Sequence, residues 1–217
     1  MLRNSTSNGL ALVLALTVAF TTPSIVDAAF SGKATTYGTN DFSGGSCSLR
    51  QGPSGVTASH FVAMNKQQYG NACGRCISIK GAKATVTAFV ADLCNECGQN
   101  NLDLSGNLWT AVTGKTPGIE KITWDFVACP SPKPALCLKE GSNNYWLAVQ
   151  AANVRDGVSA MTIAGLQGTM IGTTAFYYVN ANGNVDLNKV PVTVTSIGGV
   201  KTSYTAALKV NQCTTVG

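Results

Sequence analysis

Two aspartates and a Cys-x-x-Cys pair stand within one short stretch, V-A-D-L-C-N-E-C-G-Q-N-N-L-D-L-S-G, from Val90 to Gly106. Carboxylates flanking a groove are what glycoside hydrolysis uses, one as general acid and one as base or nucleophile. Asp92 and Asp103 are the candidate pair. The preceding T-V-T-A-F-V-A-D alternates as a strand does, which places Val86, Ala88, Val90 and Asp92 on one face, with Asp92 at the strand end. Asn101, Asp103 and Ser105 share one face of a short extended piece, and Leu102 and Leu104 anchor the other. Ser105 is placed to N-cap a short helix carrying Leu108, Trp109 and Val112. Each carboxylate is then aimed from a braced backbone. The plainer alternative is that Asp92 caps a turn and Asp103 is a solvated loop residue, since Asp favours turns for ordinary reasons.

The elements around this stretch come from a chain of 217 residues. Arg3 precedes an apolar run from Leu10 to Phe20, and Val26-Asp27-Ala28-Ala29 reads as a cleavage site. Residues 1–28 are therefore expected to be a signal peptide, cut after Ala28 or Ala29, because the run is too short for a membrane span. The chain is expected to be secreted and extracellular. Its one N-glycosylation sequon, Asn4-Ser5-Thr6, would leave with the leader. The net charge of +5 would survive, because Arg3 and Asp27 leave together. A mild positive balance without basic clusters argues against a nucleic-acid binder and suits weak adhesion to an acidic matrix.

All eight cysteines, Cys47, Cys73, Cys76, Cys94, Cys97, Cys129, Cys137 and Cys213, lie beyond the leader. An even count in a secreted chain implies disulfides. Cys73-x-x-Cys76 followed by Cys94-x-x-Cys97 also has the spacing of a four-cysteine zinc site. The oxidising compartment favours disulfides, and no metal or cofactor is expected.

Residues 30–129 read as one unit of short strands with frequent turns, as in a closed barrel. Pro130-Ser131-Pro132-Lys133-Pro134 is the spacer, residues 130–134. Residues 135–217 alternate throughout, with Asn182-Gly183 as a hairpin turn, and imply a β-sandwich of seven or eight strands. Cys137 and Cys213 stand near its two ends and are placed to tie its first strand to its last. Closing so long a loop contributes roughly 4 kcal/mol in the chain-entropy account.

Aromatic residues cluster in this second unit: Tyr145 with Trp146, and Phe176 with Tyr177 and Tyr178. Flat rings stack on sugar faces as they do on bases, or they are core. Neighbours along a strand face opposite ways, so only one of Tyr145 and Trp146 faces outward unless a turn intervenes. His60, the single histidine, is read as a satisfied surface or half-buried residue rather than a catalyst. Gly114-Lys115-Thr116 lacks the glycine-rich loop of a phosphate-binding motif.

The residues resemble the expansins, specifically the two-domain expansin-like proteins of microbes. K-A-T-T-Y-G resembles the opening motif of the family's first domain. S-G-G-S-C, A-C-G-R-C, A-D-L-C and N-L-D-L-S follow in family order, and L-K-E-G-S-N-N-Y-W-L-A-V-Q resembles the start of the second. The resemblance implies an all-β dominated chain: a six-stranded double-psi β-barrel, then an immunoglobulin-like, cellulose-binding β-sandwich, with one polysaccharide groove across both. It implies that Thr35, Asp92 and Asp103 line the barrel groove, with Asp103 essential for wall loosening. It implies that Tyr145, Trp146 and one ring of Phe176 and Tyr177 form a planar binding strip, with Lys139 adding a polar contact. The implied disulfides are Cys47–Cys73, Cys76–Cys129, Cys94–Cys97 and Cys137–Cys213. Two departures stand out. The His-Phe-Asp motif of plant members is absent, and Cys94 stands where microbial members often have a tyrosine.

Related barrels belong to inverting endoglucanases, which need a second aspartate as base near the barrel's start. Here that region holds Thr35, Thr36 and Tyr37, and threonine takes no proton from water near neutral pH. The expected function is non-hydrolytic binding and loosening of plant-type cell walls. A weak inverting endoglucanase or lytic transglycosylase, and a carbohydrate-binding surface protein without loosening activity, stand as alternatives. The expected partners are cellulose and matrix glucans, with no nucleic acid and no membrane, and the chain is expected to be a monomer.

Overall fold

A computed structural model describes Met1 and residues 30–217. The proposed leader lies outside the described residues. The first half is a closed barrel of six strands: β1 (Phe30–Thr36), β2 (Phe61–Asn65), β3 (Cys76–Lys80), β4 (Thr85–Cys94), β5 (Leu102–Leu104) and β6 (Glu120–Val127). Around the barrel the order is β1-β5-β2-β4-β3-β6, with β1·β5 and β2·β4 parallel. Two short helices, α1 (Lys66–Tyr69) and α2 (Gly106–Thr113), fill connections. Alternation sends Ala34, Val62, Met64, Ile77, Ile79, Leu102, Leu104, Ile122 and Trp124 inward, all buried. The remaining parity of each strand faces out, and this outer surface holds the candidate groove.

Beyond Pro130–Pro134, two sheets pack as a sandwich. One has the order β10-β9-β13-β14, from β9 (Val158–Ile163), β10 (Leu166–Gln167), β13 (Val190–Ser196) and β14 (Lys201–Ala206). The other has the order β11-β12-β8-β7-β15, from β7 (Ala135–Leu138), β8 (Trp146–Ala152), β11 (Thr169–Met170), β12 (Phe176–Asn180) and β15 (Cys213–Thr215). The sandwich thus has nine strands, more than the alternation suggests, because β10 and β11 are two-residue pieces too short to show a period. Leu147, Val149, Tyr177, Val179, Val192 and Val194 lie in its core.

Four disulfides join Cys47 to Cys73, Cys76 to Cys129, Cys94 to Cys97 and Cys137 to Cys213. These are the pairs the family resemblance implies. Cys73, Cys76, Cys94 and Cys97 fall in three different bonds, so the zinc-like spacing does not gather them into one cage. Cys137 and Cys213 face each other directly across β7 and β15.

Barrel and sandwich are tied through the segment from Ser46 to Arg50. The buried Gln150 side chain donates to the Ser48 carbonyl at 3.1 Å and accepts from the Arg50 N–H at 2.9 Å. The Ala175 N–H donates to the Cys47 carbonyl at 2.9 Å, and the Tyr69 hydroxyl to the Thr173 carbonyl at 2.6 Å.

Candidate functional site

Thr35, Asp103, Ala63 and Asp92 form one row across four adjacent barrel strands. Thr35 on β1 is in register with Asp103 on β5, Asp103 with Ala63 on β2, and Ala63 with Asp92 on β4. All four belong to the outward parity. Two strand spacings separate the aspartate backbones, roughly 10 Å. Ala63, small and buried, floors the space between them.

A β-bulge puts Asp92 in this row. Phe61 pairs with Phe89 and Val62 with Val90, but Ala63 pairs with Asp92, which leaves Ala91 as the extra residue. Strict alternation puts Val90 and Asp92 on one face. The bulge corrects this: Val90, beside Val62, faces the core, and Asp92, beside Ala63, faces out. The bulge is braced from outside. The Cys47 N–H donates to the Ala91 carbonyl, and Gly45 passes so close that a β-carbon there would overlap that carbonyl oxygen.

The two carboxylates differ in surroundings. Asp92 Oδ1 accepts the Ser46 N–H at 2.7 Å and the Leu93 N–H at 2.8 Å, so Asp92 holds the glycine-rich turn against β4. Asp103 Oδ1 accepts the Thr35 hydroxyl at 2.7 Å. Burial raises the Asp103 pKa above the usual carboxylate range; the Thr35 hydrogen bond opposes this and the negative charge of Asp92 adds to it. Asp103 thus holds its proton to higher pH than an ordinary carboxyl does.

Sequence reasoning passed over Tyr37. It follows Thr35 by two residues, the spacing that keeps a side chain on one face, and that alternation was the available signal. Its ring packs edge-on against Phe61. Its hydroxyl is buried without a hydrogen-bond partner among the described residues. Burial raises its pKa, and the charges of Asp92 and Asp103 raise it further. A phenol that feels both carboxylates belongs to the same groove. Asp41, the other carboxylate near the start of the barrel, is exposed and accepts from the Ser43 N–H and hydroxyl, both at 2.9 Å; these bonds lower its pKa. His60 is half-buried, and burial lowers its pKa.

Ser105 occupies the N-cap of α2 but does not cap it with its side chain. Its hydroxyl donates to the Ser59 carbonyl at 2.6 Å and accepts from the Phe61 N–H at 3.3 Å, which fastens the aspartate turn to β2 instead. The Cys94–Cys97 disulfide closes the chain just after Asp92, at the end of β4.

On the sandwich, Trp146, Ala148 and Gln150 of β8 share the outward face with Asn180, Tyr178 and Phe176 of β12, pair by pair. The sequence expectation for β12 needs correction here. Tyr177 is 6% exposed and lies in the sandwich core, so it has the wrong parity. Phe176 has the outward parity but is 2% exposed, because it sits opposite Gln150 where the barrel covers the sheet. The accessible ring of this strand is Tyr178, which stacks with Trp146 at 6.1 Å between centroids and 29° between planes. Tyr145 is 64% exposed and precedes β8 in a turn where Asn143 Oδ1 accepts the N–H groups of both Tyr145 and Trp146. Its ring rests against Gly183, which lies in the loop carrying the chain from β12 to β13 in the other sheet. Those strands do not pair, so Asn182-Gly183 is a turn in a crossover and not the hairpin its dipeptide suggests. Lys139 continues β7 beside Ala148, and with Glu140, Ser43, Arg50 and Phe176 it lines a cleft of about 380 Å³ at the junction of barrel and sandwich.

A solved structure of the Clavibacter michiganensis expansin without ligand matches this fold over 87% of this chain and 96% of that one, with a TM-score of 0.73 and 24% identity. An aspartate-to-asparagine variant of the same protein, in complex with cellohexaose, matches over the same shares with a TM-score of 0.73 and 25% identity. Expansin-YoaJ of Bacillus subtilis (strain 168) is 31% identical over 133 residues. The chain is an expansin-like protein. That last alignment spans 58% of the expansin-like chain and 56% of the Bacillus protein, little more than half of each. No family model matches the chain. Among the described residues of this expansin-like protein, no helix is long and apolar enough to cross a membrane.

Proposed function

We propose that this is a secreted protein that binds cellulose and matrix glucans and loosens them without hydrolysis. Trp146, Tyr178 and Tyr145 dock a glucan by stacking. The Asp103 row grips a strand on the barrel, where a protonated Asp103 donates to the glycan and competes with its lateral hydrogen bonds. The observation that carries this reading is the hydroxyl, rather than a carboxylate, facing Asp103. An inverting pair needs roughly 6.5–9.5 Å between carboxyls, with room for a water. Thr35 instead bonds Asp103 directly at 2.7 Å. The ligand reported for the Clavibacter variant supports a cellulose-type partner.

One observation favours a second reading, weak inverting hydrolysis: Asp92 shares the outward row, two strands from Asp103. Against it, Asp92 Oδ1 is held by two backbone N–H groups. Extension of a clamped, heat-inactivated wall strip, assayed together with reducing-end release, separates the two. Creep without new reducing ends is expected. Release of reducing ends that is lost in Asp92→Asn would establish hydrolysis instead.

A further inference from the structure

On the barrel, β1, β6 and β3 present a second outward face beside the aspartate row. Lys33 stands directly opposite Lys121, Ser31 opposite Thr123, and Thr123 opposite Lys80 on the next strand. Gly32, Ile122 and Ile79 take the inward parity, so the three lysines share one side and all are exposed. They line an open cleft of about 780 Å³ floored by Gly32, Gly81 and the two hydroxyl residues.

Like charges directly opposite on neighbouring strands destabilise a sheet. No ion pair among the described residues relieves this. Among the described residues the ion pairs are Lys115–Glu120 and Arg155–Asp156, so none involves Lys33, Lys80 or Lys121. Glu120 borders the cleft, but its carboxylate accepts from Lys115 at 2.8 Å. Asp125 shares the outward face of β6 one step further on, opposite Ser78. The cleft offers no aromatic ring for stacking a neutral sugar; it offers three exposed cations and hydroxyl groups. Lys33 and Thr35 lie on the same face of β1, about 7 Å apart. A polymer running along β1 therefore meets this cleft and the Asp103 row in turn.

We infer that this cleft binds a carboxylate-bearing polysaccharide, a polyuronate or a uronate-substituted glycan, through Lys33, Lys80 and Lys121. Flexible point charges suit carboxylates repeated along a chain better than a single planar anion, which arginine would hold. The contacts are exposed, so salt screens them. This inference stands apart from the loosening reading and survives its failure.

The test uses the full mature chain and compares the triple variant K33Q/K80Q/K121Q with K189Q/K201Q/K209Q, which loses the same charge elsewhere. Binding is measured to polygalacturonate, to its fully methyl-esterified form and to cellulose, at low and moderate salt. The cleft variant should lose at least tenfold in polygalacturonate affinity and keep its cellulose binding, and the second triple should stay near wild type. Esterification or added salt should abolish wild-type binding. Equal losses in the two triples would reduce the effect to net charge and overturn the site. So would undiminished binding to the esterified polymer, or equally tight, lysine-dependent binding to duplex DNA or anionic vesicles.

Discussion

Asp92 and Asp103 are both in register with Ala63, one on each side of it. The relationship depends on one extra residue, Ala91, and on the turn that presses against it. Without the bulge, Asp92 would stand a rung further along the barrel, beside Met64. The two carboxylates share a row and divide the work: Asp92 braces the wall through its backbone N–H contacts, and Asp103 faces the groove, where burial raises its pKa above the ordinary carboxylate range.

Asp103→Asn should abolish wall creep while leaving the cellulose isotherm within about twofold of wild type. Creep and binding, measured on the same preparation, check this. Loss of binding would mean that the barrel and the sandwich exchange the roles assigned to them.

Trp146→Ala should weaken cellulose binding by about 1–3 kcal/mol if its ring stacks as aromatic side chains do on bases. Tyr178→Ala should follow in the same direction, since the two rings stack on one another. Tyr177→Ala should lower stability instead, by about 3–5 kcal/mol if this core tyrosine behaves as large buried aromatics do. A binding defect in Tyr177→Ala with unchanged thermal stability would contradict the parity described here.

Burial raises the pKa of Asp103 above its ordinary 3.8. The folded protein therefore holds this proton more tightly than the unfolded chain does. The stabilisation is fully present below 3.8 and is lost as pH rises through the folded pKa. Asp103→Asn has no such dependence, so the stability difference between wild type and variant should shift against wild type across that window. Denaturant titrations at a series of pH values read it directly. Creep should decline over the same window as Asp103 ionises.

Gly45→Ala should destabilise by about 1–3 kcal/mol, the usual cost of overpacking, because its β-carbon would overlap the Ala91 carbonyl. Gly44→Ala, with open space around it, should be close to neutral. A melting comparison of the two tests whether the turn clamps the bulge. Creep by Gly45→Ala should fall more than its stability alone accounts for, since Asp92 moves with the bulge.

Replacing Cys137 and Cys213 together by alanine should cost roughly 4 kcal/mol, from the long loop that their bond closes. Equilibrium unfolding of the oxidised proteins measures this.

Much of this was legible in the residues. Alternation around Leu102 and Leu104 placed Asp103 outward, and both leucines are buried. Leu108, Trp109 and Val112 are buried on a helix where their spacing put them. Alternation failed at Asp92 because a bulge leaves no mark in a run such as V-A-D, where each residue fits either parity. It failed at Phe176-Tyr177-Tyr178 for a related reason. Three adjacent aromatics carry no polar residue to mark the wet side, and the barrel that covers Phe176 is more than a hundred residues upstream in sequence. Tyr37 escaped notice because its link to the aspartates is through space, across β5 and β2.

The segment from Ser46 to Arg50 touches Asp92 at one end and Gln150 at the other, so the aspartate row and the ring-bearing sheet are set at a fixed offset. In the proposed reading, that offset acts as a ruler. Short oligosaccharides reach one site and gain nothing from the other. A stiff chain that spans both converts its second contact into an intramolecular one, at a high effective concentration. Affinity should then rise in a step, rather than smoothly, once ligand length passes the gap.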